Sequence, residues 1–163
     1  MLKLYVPALE ELDFRQKLCA DPATMTYNRG YAPFPGYDPI SGCIDFSEEK
    51  WAGWYEHWIG HDPERFYAYL RREDGTFVGD VCYHDFGEDG VRMIGIVIHS
   101  AYRGMGYSEE GLRPLTERAF SHPEIVTLRN EFETHRTAAL RVHRKVGFTV
   151  ETNGKDAVLT LHK

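Results

Sequence analysis

Residues 66 to 98 hold the pattern that most restricts the fold of this chain. "FYAYLRRE" and "TFVGDVCYHDFG" are alternating apolar runs joined at Asp74-Gly75, a two-residue hairpin turn. Glu88, Asp89 and Gly90 make a second turn into "VRMIGIVIHS", so three consecutive antiparallel strands are expected. An apolar strand then runs directly into "AYRGMGYSEEG", residues 101 to 111, and from there into the helical pattern "EEGLRPLTERAF". Two glycines, Gly104 and Gly106, flank Met105 at that junction. Glycine permits positive φ and close approach of a ligand to the backbone. A helix start offers unpaired N–H groups and the positive end of the helix dipole, a site suited to phosphate. A plain tight turn from strand to helix has the same letters.

The remaining elements fall around this centre. "LKLYV" makes a short strand, and "ALEELDFRQKLCAD" a helix ending before Pro22. "TYNRGYAPFPGYDPISGCIDF", residues 26 to 46, reads as a long aromatic loop, a type that is usually functional or disordered. Ser47 is a suitable N-cap for the next helix, in which Trp51, Trp54, Tyr55 and Trp58 form one apolar stripe, a pattern more often core than binding surface. After the glycine junction a helix of about 108 to 121 follows, with Pro114 expected to kink it or shift its boundary. "EIVTLRNEFE" reads as a strand, "HRTAALRVHRKVG" as a helix closed by Gly147, and "FTVE" and "AVLTLHK" as a final strand pair. The order β-α-α-β-β-β-α-β-α-β-β, without repeats or linkers, predicts one α/β (α+β) domain over residues 1–163. Its sheet is mixed and mostly antiparallel, flanked by about four helices.

Composition narrows the function classes. The 163 residues carry a net charge of −6 and no run of like charge longer than three, which argues against nucleic-acid binding. An acidic chain needs local positive groups to hold an anion, and Arg103 stands beside the glycines. No apolar run approaches a membrane span and no signal-peptide core is apparent. Three cysteines, Cys19, Cys43 and Cys82, fit free thiols in a reducing compartment, so a cytoplasmic protein is expected. His57 and His61 are four apart, but Gly60 intervenes and no third ligand is near, so no metal site is expected. Cys82 lies mid-strand, as a core residue would.

With these elements in this order, the chain resembles the GNAT acyltransferase family, which moves an acetyl group from acetyl-CoA to an amine. "YRGMGYSEEGL" is similar to the branch with Arg-Gly-x-Gly-Tyr-x-x-Glu-Ala-Leu, placing Glu110 at its Glu and Leu112 at its Leu. "RTAALRVHRKVGF", residues 136 to 148, is similar to the family's second landmark, which ends in Lys-x-Gly-Phe. The resemblance implies that the backbone of Arg103, Gly104, Met105, Gly106, Tyr107 and Ser108 binds the CoA pyrophosphate. It further implies that the edge at Ile96, Val97 and Ile98 pairs with the pantetheine arm, and that Arg136 stands where a cofactor-binding Asn is usual. Glu109 and Glu110 are expected to face away from the phosphates. His143 occupies the slot of a Tyr that reprotonates the departing thiolate, and near-neutral titration suits histidine to that work; an ordinary helix histidine is the alternative. Met93 stands where a strand-four carboxylate is frequent, leaving Asp80, His84, Glu131 or water as the base.

The activity so implied is N-acetylation of a small-molecule or peptide amine by direct attack, without a metal. A catalytically inactive acyl-CoA-binding sensor is the alternative. The resemblance implies that the first two helices and their connection wall the acceptor site. In that connection, the aromatic loop, Tyr31, Phe34, Tyr37 and Phe46 offer cation-attracting faces and Asp38 and Asp45 are the acids, the alternative being that these aromatics only pin the loop onto the Trp stripe. GNAT domains often pair, so a homodimer is a further expectation.

Overall fold

A computed structural model describes all residues 1–163. Strand β1 (Lys3–Tyr5) leads through a 3-10 turn at Leu9–Glu11 into helix α1 (Asp13–Ala20). The single helix expected over this stretch is thus split, because the Glu11 carboxylate folds back to accept the Ala8 N–H at 2.8 Å and the Tyr5 hydroxyl. Pro22 does not end helical structure but starts it again. It is the first residue of a short helix, α2 (Pro22–Met25), whose Ala23 and Thr24 N–H groups donate to the Asp21 carboxylate.

Helix α3 (Trp51–Trp58) follows a 3-10 turn that begins after Ser47. Ser47 stands at the capping position, but its hydroxyl meets Glu49 and caps no backbone N–H. Strands β2 (Arg65–Arg71), β3 (Phe77–Asp85) and β4 (Val91–Ile98) form the expected meander. The Asp74-Gly75 turn closes as its letters require: Gly75 has φ +90° and the Asp74 carboxylate accepts the Thr76 N–H at 3.0 Å. Helix α4 (Tyr107–Phe120) runs through Pro114 unbroken. Strand β5 (Thr127–Glu133), helix α5 (Thr137–Val146), and strands β6 (Thr149–Asn153) and β7 (Asp156–His162) complete the chain. Gly147, at φ +117°, caps α5 as expected, its N–H donating to the His143 and Arg144 carbonyls.

The seven strands order as β1-β2-β3-β4-β5-β7-β6, and only β4 and β5 are parallel. Alternation divides the central strands between two faces. Leu70, Val81 and Ile94 lie on one face, packed with Leu112, Leu115 and Ala119 of α4 in the main core. Cross-strand partners Tyr67, Cys82 and Gly95, with Tyr69, Asp80 and Val97, lie on the other. Arg15 and Phe14 of α1 and Trp54 of α3 cover that second face. Gly111 lets α4 approach the sheet closely, since a Cβ there would sit 2.6 Å from a Leu70 methyl.

One irregularity positions the site. β4 and β5 pair only over Val91–Met93 and Thr127–Arg129, yet β4 continues to Ile98 and β5 to Glu133. Beyond Met93 the two strands diverge and the sheet opens between them.

Candidate active site

A cleft of about 1140 Å³ fills the opening, walled by α1, α3, the α4 start and the α5 start. At one end is the glycine loop. Gly104 and Gly106 have φ of +78° and +84°, a left-handed conformation that side chains resist, and a Cβ on either would meet nothing within 4 Å. None of the backbone N–H groups from Gly104 to Glu109 has an acceptor within the protein. Six successive donors at the positive end of a 14-residue helix form a cradle for an anion.

Arg103 does not point its charge into that cradle. Its guanidinium donates to the carbonyls of Ala23 at 2.9 Å, Thr24 at 2.5 Å and Ile98 at 3.3 Å, and so fastens the loop to α2 and the end of β4. The local positive group expected beside the glycines thus stands next to the cradle with its N–H groups turned to main-chain carbonyls. Glu109 and Glu110 turn away as expected. Glu109 pairs with Arg113 at 2.8 Å and Lys145 at 3.5 Å, while Glu110 accepts the Leu2 N–H at 2.7 Å.

The exposed edge of β4 is narrower than the letters suggested. His99 N–H donates to Val78 on β3, so by antiparallel alternation the main chain of Val97 also faces β3. Ile96 and Ile98 face the cleft, and the Ile98 carbonyl is taken by Arg103. The pairing edge is therefore centred on Ile96. The side chains of Ile96 and Ile98 belong to the core, and that of Val97 lines the cleft. Met93 lies where β4 still pairs with β5, at the closed end of the opening.

Of the three basic groups expected, only Asp80 is built into the cleft wall as a buried carboxylate. Its Oδ2 takes the Tyr67 hydroxyl at 2.5 Å and Arg15 Nη1 at 3.3 Å, while Oδ1 receives no donor from the protein. Burial raises its pKa, and the opposing effects of Arg15 and the Tyr67 hydrogen bond do not cancel the rise. Arg15 in turn lies over the rings of Trp54, Phe46 and Tyr67 at 4.5, 5.0 and 5.2 Å. His84 lies outside the cleft, its Nδ1 donating to the Asp85 carbonyl. Glu131 is exposed at the rim and paired with Arg129 at 2.5 Å.

His143 is buried between Phe132 and Phe148. Its Nδ1 stands 2.8 Å from the Ala139 carbonyl and must donate there. Its Nε2, 3.1 Å from the Asn130 amide nitrogen, then accepts. Burial lowers the ring's pKa, against the raising effect of the Ala139 hydrogen bond. Nε2 thus carries no proton to give, and the geometry assigns His143 to orienting Asn130, in place of the expected proton donor. Arg136, at the start of α5, rests on Phe132 and Tyr27 at 4.7 and 5.2 Å and faces Glu133 at 4.0 Å.

The aromatic loop is divided. Tyr37 is buried, donating to the Asn28 carbonyl and stacking on Phe34 at 4.7 Å, and Phe46 joins a small core with Leu12, Cys19 and Met25. Asp38 and Asp45 are tied into local turns by Ser41 and Lys50. Of the six loop residues singled out, Tyr31 alone reaches the cleft, bonded to Glu133 at 2.5 Å, and Tyr27, Asn28, Arg29 and Ile44 of the same loop line it too. Trp54, Trp58 and Tyr67 also line the cleft, the first two from the stripe expected to be core. No group of three or more metal-ligating side chains occurs, and burial pushes the Cys82 thiol up to about 12.

Residues 3–149 match the family model described as an acetyltransferase (GNAT) domain. No curated protein sequence matches at a significant level. Among solved structures, the chain is similar to the Vibrio cholerae spermidine N-acetyltransferase in complex with CoA and spermine. The TM-score is 0.77 and the identity 15%, over 99% of this chain and 95% of that one. A putative acetyltransferase from Acinetobacter baylyi ADP1 aligns with TM-score 0.72 at 18% identity, over 100% and 93%. These likenesses carry the fold, and the family match covers nearly the whole chain. The protein belongs to the GNAT acetyltransferase family.

Proposed function

We propose that the protein transfers the acetyl group of acetyl-CoA to a primary amine of a small molecule or peptide by direct attack, with Asp80 as the base. The observation that carries this reading is the opening between β4 and β5, with free loop amides at one end and an unpaired Asp80 oxygen in its wall. The amides of residues 104 to 109 suit a diphosphate, and the Ile96 main chain suits an extended amide-bearing arm laid along the strand edge. Ser108 and Arg136, at the starts of α4 and α5, flank that course. The Vibrio cholerae structure, which holds CoA, supports the choice of donor.

An alkylamine is a cation at neutral pH, with a pKa near that of lysine, about 10.4, and must lose a proton to attack. Asp80 Oδ1 takes that proton first, and the lone pair so freed on the neutral amine bonds to the thioester carbon. Backbone N–H groups stabilise the developing oxyanion; as the carbon–sulfur bond breaks the sulfur leaves with the bonding pair, and the second proton lost from nitrogen passes through water to the thiolate, giving the amide and CoA thiol. A thiol's ordinary pKa, about 8.5 for cysteine, makes this a good enough leaving group without a strong acid. A raised Asp80 pKa strengthens it as a base.

The test is thiol release from acetyl-CoA with a mixed panel of primary amines. Turnover is expected with at least one of them. Asp80→Asn should lower kcat by roughly a hundred- to ten-thousand-fold with acetyl-CoA affinity unchanged. The wild-type rate should fall at acid pH as Asp80 is protonated, a limb the variant lacks. Absence of thiol release with every amine overturns the reading.

A further inference from the structure

We infer that Asn130 is a donor-binding residue, its side-chain amide giving one N–H to an amide carbonyl on the arm of CoA. The inference rests on the acetyltransferase reading above and adds a contact that reading does not use. β4 and β5 last pair at Met93 and Arg129, so Asn130 is the first β5 residue at the apex of the opening. Its neighbours on the same face of the strand, Leu128 and Phe132, belong to the main core, and alternation turns Asn130 with them toward α5. A polar side chain in an apolar row is costly unless its donors and acceptors find partners.

A primary amide offers one acceptor oxygen and a pair of N–H donors. Oδ1 accepts the Glu131 N–H at 2.9 Å, which fixes the way the amide is turned. Nδ2 lies 3.1 Å from His143 Nε2, and that nitrogen accepts because Nδ1 donates to the Ala139 carbonyl at 2.8 Å. The chain from Ala139 through His143 therefore uses one Nδ2 hydrogen and holds the amide plane still. The other N–H meets no acceptor within the protein, and Asn130 lines the cleft. Ala139 and Val142 of α5 line the cleft on the same side and are apolar, so the place suits a neutral acceptor and not a phosphate. An arm that leaves the glycine loop and follows the β4 edge past Ile96 runs toward Met93, and so toward this donor. Because the amide is already fixed, little entropy is lost when it binds.

The experiment follows the Asn130 side-chain amide by NMR, assigned from its own backbone, while the protein is titrated with CoA. A parallel titration uses ADP, which carries a diphosphate but no arm. CoA is expected to move one Nδ2 proton downfield and slow its exchange with water, and ADP to leave it in place. Asn130→Leu keeps the size of the side chain and removes both donors. Calorimetry should show CoA bound about three- to ten-fold more weakly by this variant, the worth of one hydrogen bond. The acetyl-CoA KM should rise in step, with kcat within about three-fold. An Asn130 amide unmoved by CoA, or moved equally by ADP, overturns the inference. So does a variant that binds CoA as the wild type does, or one that loses kcat alone. Should the variant not fold, the wild-type titration decides. Binding is read here without turnover, so the two readings fail separately. Thiol release with an unmoved Asn130 leaves only the acetyltransferase reading, and a moved Asn130 with no thiol release from any amine leaves only the donor contact.

Discussion

Gly106 and His143 show how narrowly a residue's environment sets its work. Gly106 is left-handed with open space beyond it, and its neighbours' N–H groups are unclaimed. Gly106→Glu places a carboxylate where the diphosphate is proposed to lie and adds a backbone cost of roughly 1–2 kcal/mol. Calorimetry is expected to detect no acetyl-CoA binding by this variant; unchanged affinity would remove the loop from the site. His143 presents the opposite case, a titratable ring in the cleft lining packed between two phenylalanines. His143→Phe should leave kcat within about three-fold and the pH–rate profile unmoved, because Nε2 accepts from Asn130 and the Nδ1 proton is held by the Ala139 carbonyl. Leaving the Asn130 amide unpaired should cost about 1–3 kcal/mol of stability, visible in denaturant titration. A large loss of kcat with intact stability would restore the catalytic role.

At the scale of elements, Arg103 joins three that are remote in sequence. Its carbonyl partners on α2 and at the end of β4 hold the glycine loop in place before any ligand arrives. Arg103→Ala should cost roughly 2–3 kcal/mol, a fall in Tm of about 4–12 °C for a domain of this size. Acetyl-CoA affinity should weaken in parallel, because the loop is no longer preorganised. Arg103→Lys should rescue little, since an ammonium cannot span three carbonyls as a planar guanidinium does. A variant with weakened affinity but unchanged Tm would show instead that the guanidinium reaches the phosphates. Helix α4 makes a related point. It runs through Pro114 because the packing of Leu112, Leu115 and Ala119 outweighs one lost hydrogen bond.

The whole molecule is held across its far end by Asp62, which precedes β2. The carboxylate accepts from Arg118 at 2.6 and 2.9 Å and from the Tyr83 hydroxyl, joining that segment to α4 and β3. Burial pushes the Asp62 pKa up, but the hydrogen bonds from Tyr83, Arg118 and His122 outweigh it and the net shift is downward. The sign follows: this stability is present above the ordinary carboxylate value of 3.8 and is lost as pH falls through the lower folded value. His143, whose pKa is depressed from 6.5, adds to the acid limb earlier. Below that value the unfolded chain takes up a proton that the folded chain refuses. Asp62→Asn should lower Tm at pH 7 by roughly 4–8 °C, the worth of about 2 kcal/mol of charged hydrogen bonding. It should also flatten the dependence of Tm on pH below 4. An equally steep acid limb in the variant would assign the acid sensitivity elsewhere.

What the sequence determined by itself is what short-range physics controls. The Asp74-Gly75 turn, the alternation of β2 to β4, the cap at Gly147 and the left-handed glycines before α4 all follow from conformations that neighbouring residues allow. Element order and those glycines were enough to make the anion cradle legible. The rest of the cleft lining was not. Asp80, His84 and Glu131 are equivalent as letters, and only the docking of Arg15 and Tyr67 against one of them buries it and leaves an oxygen free. The direction of Arg103 depends on where α2 lies, 79 residues away along the chain. The aromatic loop and the Trp stripe each divide between core and cleft, with Tyr27, Tyr31, Trp54 and Trp58 lining the cleft and Tyr37, Phe46, Trp51 and Tyr55 packed within the protein. Backbone conformation is a property of adjacent residues, whereas burial, ion pairing and the lowered pKa of His143 are properties of contacts between distant ones. Those contacts exist only once the sheet has assembled and parted between β4 and β5.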